Sequence, residues 1–141
     1  MVNVKDIQDM KNESGEDKLD QMFRRQWDLI GKYKEIETKT LPCVVPHSYP
    51  VDLDSYHGQH QIKEQIFRTI VELCEAADCL KNKPWKQTMI ETDVIHFQEE
   101  LADALHFFLE VCIQAGIGPD ELYQLYFKKS EVNKFRQRSE Y

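Results

Sequence analysis

An excess of basic residues, a long apolar run, paired cysteines and alternating strand patterns are all missing from this 141-residue chain. Each absence excludes something. With a net charge of −7 the chain is not suited to grip a nucleic-acid backbone, because phosphate contacts favour a basic surface. No apolar run is long enough to span a bilayer, and the opening MVNVKDIQDMKNESGEDK lacks the basic and apolar segments of a secretion signal. A cytoplasmic setting with no membrane partner is expected. The cysteines Cys43, Cys74, Cys79 and Cys112 show no CxxC spacing, and three fall in stretches that read as buried helix, so they are read as free, packed thiols. Five glycines and five prolines among 41% hydrophobic and 30% charged residues argue against a disordered chain. Without period-two alternation the fold class is all-α, a bundle of four to five helices. The length fits one domain, a size at which roughly two thirds of the unfolded surface is buried.

Residues 1–17 are polar and read as a flexible leader, leaving 18–141 as a single domain. Leu19, Met22, Phe23, Gln26, Trp27, Ile30 and Tyr33 recur at helical spacing. Gln26 lies inside that apolar stripe, and a buried amide must find partners, either in helix packing or on a polar ligand. Residues 38–58 hold three prolines and no helical period, so they form a long Pro-rich loop. Its His47 and His57, with His60 beyond, match no usual zinc spacing and read as solvated. A second helix spans 59–80, with Ile62, Ile66, Ile70, Leu73 and Ala77 as its buried stripe. Pro84 breaks the pattern, and Trp85 in that turn is either a lid on the core or an aromatic wall for a ligand. A third helix spans 91–115 and buries Leu101, Ala104, Leu105, Phe108, Val111 and Cys112. A fourth runs from Pro119 to Asn133, before the polar tail KFRQRSEY.

Two of these helices carry acidic pairs. Glu72 and Glu75 in VELCEAADCL, and Glu100 and Asp103 in EELADALHFFLEV, each lie one turn apart, so each pair can aim at one point. If the two helices pack antiparallel, all four carboxylates face one another across the seam. Their flanking apolar residues predict partial burial, where charges must be paired or bound to metal. Mg²⁺, a hard cation that takes oxygen ligands, is the natural partner, and solvated helix faces are the plain alternative.

VELCE followed by EELAD, then DALHFFLE and LYFKKSEVNKFRQRSEY, resembles the all-α nucleoside triphosphate pyrophosphatases, the superfamily of MazG-like enzymes and dimeric dUTPases, with phage dCTP/dUTP pyrophosphatases nearest. The resemblance implies that Glu72, Glu75, Glu100 and Asp103 bind Mg²⁺, with Mn²⁺ a substitute. It implies that Glu72 and Glu75 serve catalysis, Glu75 as the general base. It further implies substrate contacts from Lys129, Asn133, Arg136, Gln137 and Tyr141, and a base pocket drawn from Gln26, Trp85 and Phe107. Phe107 and its neighbour His106 serve equally well as core packing.

The expected reaction is Mg²⁺-dependent hydrolysis of a deoxynucleoside triphosphate, dUTP or dCTP or both, to the monophosphate and pyrophosphate. A homodimer or higher homo-oligomer is expected, in the nucleotide metabolism of a phage or a bacterium and so in the host cytoplasm if phage-encoded. Two rivals remain: a same-fold pyrophosphatase for purine or modified nucleotides, and a non-catalytic helical metal-binding or regulatory dimer.

Overall fold

The computed structural model describes residues 17–40 and 49–139. The leader up to residue 16, Cys43, His47 and Tyr141 lie outside them. Four helices and no strand form among the described residues, so the all-α reading holds: α1 (Lys18–Thr40), α2 (Tyr56–Asp78), α3 (Val94–Gln114) and α4 (Pro119–Arg138). None is long and apolar enough to cross a membrane by itself.

Local chemistry sets the helix ends. Asp17 caps α1 by accepting from the Asp20 N–H at 3.0 Å. Ser55 caps α2, its Oγ accepting from Gly58 N–H at 2.9 Å. Gly58 is required there, because a Cβ would lie 1.9 Å from the Asp52 carbonyl oxygen. Helix α2 therefore starts inside the segment read as loop, since the Asp52–Ser55 turn supplies a cap that overrides the local composition. Asp93 caps α3 through the His96 N–H at 3.0 Å. The connection between α2 and α3 is closed by Asn82, whose side chain donates to Ile90 O at 2.8 Å and accepts from Ile90 N–H at 2.7 Å. Gly116, at φ 77°, ends α3, and Pro119 begins α4 with Asp120 and Glu121 in its first turn. Helix α4 runs five residues beyond the expected Asn133, to Arg138. Nothing in KFRQR breaks a helix, and Arg136 and Arg138 suit its negative C-terminal end.

The apolar core is small and sits between α1 and α3. Phe23 and Ile30 meet Leu109, Cys112 and Ile113, with Leu19, Tyr49, Ile117 and Leu122 around them. Helices α2 and α3 pack against each other, and besides Gly58 and the core residues Leu109, Cys112 and Ile113 they bury Gln61, Gln65 and Ala76 on one and Glu100, Ala104, Glu110 and Gln114 on the other, five of these seven being polar. The expected apolar stripes are therefore not the seam. Ile66, Ile70, Leu73, Leu101, Leu105 and Phe108 all remain between 41 and 48% exposed. Val71 and Leu80 are exposed as well, and among the described cysteines Cys112 is buried, Cys79 half-buried and Cys74 exposed. Periodicity marks which residues share a face but not which face turns inward. In this hairpin the polar face won.

Candidate metal and nucleotide site

The polar seam between α2 and α3 brings Glu72, Glu100 and Asp103 together, one carboxylate oxygen of each lying within 4.8 Å of the others. Glu100 is buried, Glu72 half-buried and Asp103 exposed. Burial pushes the Glu72 carboxyl above its usual range, helped by a hydrogen bond shared with Glu100 and by the charges of Glu75, Asp103 and Glu100. Such a cluster prefers to hold a proton or a cation. His96, one turn before Glu100, places Nε2 at 3.3 Å from Glu100 Oε1.

Glu75 and Asp103 are more exposed than their apolar neighbours predicted. Glu75 stands outside the close trio. It lines a cavity of about 460 Å³ with Asp78, Cys79, Asp93, His96 and Glu100. The donors fit a hard divalent cation: three convergent carboxylates with a fourth beside them, all oxygen, with Glu72 shifted as uncompensated neighbours require.

On the α1 side, Glu72 and Asp103 line a cavity of about 280 Å³ with Gln26, Leu29, Tyr33, His106 and Phe107. It shares Gln26, Leu29 and His106 with a larger space of about 620 Å³ edged by Arg24, Arg25 and Lys32. Gln26 is 2% exposed, and its Oε1 has no hydrogen-bond partner. Helix packing therefore does not satisfy this oxygen. His106 Nδ1 lies 2.8 Å from the Ala102 carbonyl, which can only accept, so Nδ1 is the donor in that contact. Phe107 is half-buried in the same wall.

The other candidates lie elsewhere. Trp85 is 75% exposed on the connection between α2 and α3, with the Lys83 ammonium 5.7 Å from its ring centre. Lys129, Asn133 and Gln137 recur every four residues along α4 and line one cavity with Tyr126 and Ser130. Arg136 lies on the same helix. Helix α4 turns away from α3 by 106°, beyond the end remote from the acidic trio.

Residue-by-residue reading missed His96, Tyr33 and the buried set Gln61, Gln65, Glu110 and Gln114. A signal existed for the last group. Polar residues 61, 65 and 72 on α2 and 103, 110 and 114 on α3 repeat at intervals of four and seven, which is the period of a buried helix face.

A family description, dUTPase, matches residues 14–121. No curated protein and no solved structure matches the chain. The matched span covers more than half of the chain and contains both acidic pairs, Gln26 and the helical hairpin that joins them. The chain belongs to the dUTPase family of all-α, dimeric dUTPase and MazG-like enzymes, and with it to the hydrolases of dUTP-type nucleotides.

Proposed function

We propose that the protein is a Mg²⁺-dependent pyrophosphohydrolase of a pyrimidine deoxynucleoside triphosphate, with dUTP preferred over dCTP. The observation that carries this reading is the orphan Oε1 of Gln26, buried in the wall of a cavity whose opposite wall holds Glu72 and Asp103. Uracil offers an N3–H donor where cytosine offers an acceptor. Gln26 Oε1 is an acceptor that the N3–H of uracil can meet. Phe107 gives the base an aromatic surface.

Glu72, Glu100 and Asp103, with Glu75 beside them, would hold the cation. Bound there, Mg²⁺ or Mn²⁺ supplies charge neutralisation for the phosphate oxygens and acidifies water. Glu75, on the solvent side, takes the proton of the attacking water. That water forms a new bond to phosphorus as the link between the monophosphate and the pyrophosphate breaks. Lys129, Asn133, Arg136, Gln137 and Tyr141 bind the phosphate chain and sugar, and Trp85 closes on the base. A homodimer is the working form, in a single domain over 18–141.

A panel of ribo- and deoxynucleoside triphosphates, each with and without Mg²⁺ and read by pyrophosphate release, tests this. Mg²⁺-dependent release from dUTP ahead of dCTP is expected. Release from a purine nucleotide would overturn the base assignment, and no release with intact Mg²⁺ binding would leave a non-catalytic metal-binding protein.

A further inference from the structure

We propose that the end of the α2–α3 seam remote from the acidic trio is a separate ion site, which takes a monovalent cation of the Na⁺ or K⁺ kind on Gln65, Glu110 and Gln114. Four polar side chains are buried in that stretch, none more than 7% exposed: Gln61 and Gln65 one turn apart on α2, Glu110 and Gln114 one turn apart on α3. The charges of Arg68 and Glu64 act on the Glu110 carboxyl, which puts it opposite the α2 turn that holds Gln65. Glu72 faces Glu100 and Asp103, so the helices run antiparallel and Gln114 stands level with Gln61.

The contacts inside this cluster leave a deficit of donors. Gln114 Nε2 directs its two hydrogens to Glu110 Oε1 at 3.1 Å and to the Tyr49 hydroxyl at 3.5 Å. Four buried atoms keep no hydrogen-bond partner: Gln65 Oε1, Glu110 Oε2, Gln114 Oε1 and Gln61 Nε2. Three of them are acceptors, and one belongs to a carboxyl group. A water brings two hydrogens to three acceptors and no charge to a buried carboxylate. A cation meets all three oxygens at once. The nearby cations of the chain have other partners: the Arg68 guanidinium bonds Glu64 at 3.0 Å, and the Lys34 ammonium stands 3.9 Å over the Tyr49 ring. From α1, Glu37 adds negative charge, and burial pushes the Glu110 carboxyl upward.

The donor set also selects the class of ion. Mg²⁺ usually keeps several waters in its shell, which suits the partly exposed trio. One carboxylate and two amide oxygens in a closed seam offer a single negative charge, with carbonyl oxygens of the kind that replace the hydration shell of a monovalent cation. Bound there, the ion ties α2 to α3. It also fixes the segment before α2, because the Val51 N–H donates to the Gln114 carbonyl at 2.8 Å.

Thermal unfolding of the full chain tests the site at about pH 8, in chloride salts of K⁺, Na⁺ and tetramethylammonium at one ionic strength. Mg²⁺ is kept in excess throughout, so that the trio is not what responds. Tetramethylammonium is too large for the seam and serves as the blank. With K⁺ or Na⁺ at ten times its dissociation constant, Tm should rise by about 4 °C over the blank and then approach saturation. Glu110→Gln keeps the shape of the side chain and removes its charge, so the rise should vanish in that variant. It should vanish in wild type at about pH 4 as well, where a proton occupies the Glu110 carboxyl in place of the cation. In crystals grown with Rb⁺, an anomalous-scattering peak is expected between Gln65, Glu110 and Gln114. Equal Tm values in the three salts would overturn the proposal and leave a protonated Glu110 with water beside it. A rise of unchanged size in Glu110→Gln, or a Rb⁺ peak elsewhere alone, would overturn the assignment to this cluster.

Discussion

Glu72 and Glu100, which come from two different helices, each place a carboxylate oxygen within 4.8 Å of the other. Two carboxylates this close repel unless a proton or a cation lies between them. The seam therefore spends fold stability on a site that a cation can relieve. Glu72 adds the trio's second helix, and Asp103 adds its solvent-facing member.

Neutral replacement of a trio member should remove the cation rather than the fold. Glu72→Gln and Asp103→Asn are each expected to lower Mg²⁺-dependent turnover at least about a hundredfold, more than loss of an outer partner typically costs. Circular dichroism should show unchanged helix content. Wild-type turnover in either variant would remove the trio from the mechanism.

Glu75 separates from the trio in its expected behaviour. Glu75→Gln should reduce kcat by about a hundredfold or more while Mg²⁺ affinity, followed by titration calorimetry, changes far less. If affinity and kcat fall together, Glu75 is a ligand and the base lies elsewhere.

On the proposed reading, the unpartnered Oε1 of Gln26 sets the base preference. Gln26→Ala should raise KM for dUTP about tenfold or more and narrow the ratio of dUTP to dCTP efficiency, since a missing hydrogen bond to a buried base costs about 1–3 kcal/mol. An unchanged ratio would mean that the amide is satisfied by water and reads nothing.

Glu110 gives a pH signature unconnected with turnover. Burial pushes its carboxyl upward; Arg68 pulls it back and Glu37 raises it further. Its folded value lies above the ordinary 4.5, so its favourable contribution is present below 4.5 and lost as pH rises through the raised value. Glu110→Gln has nothing to ionise, so its stability relative to wild type should increase from below pH 4.5 towards neutrality and then level off. A constant difference across that range in urea unfolding would mean that Glu110 is solvated rather than buried.

The sequence by itself determined the helices, their approximate limits and the pairing of acidic residues within a turn. These follow from local periodicity, caps and breakers such as Asp93, Gly116, Pro84 and Pro119, which act over a few residues. The family likeness carried by Glu72, Glu75, Glu100 and Asp103 was legible for the same reason. Which face of each helix turns inward was not. Ile66, Ile70 and Leu73 read as core because apolar residues at helical spacing usually are, yet the tertiary structure turns Gln61, Gln65 and Glu72 towards α3 and leaves the apolar stripe to solvent. Only packing could decide that choice, because both faces have the same period and their free-energy difference is set by what lies opposite. The separation of Glu75 from the trio, the orphan Oε1 of Gln26 and the departure of α4 at 106° are likewise tertiary facts. They depend on angles between helices, which no local run of residues encodes.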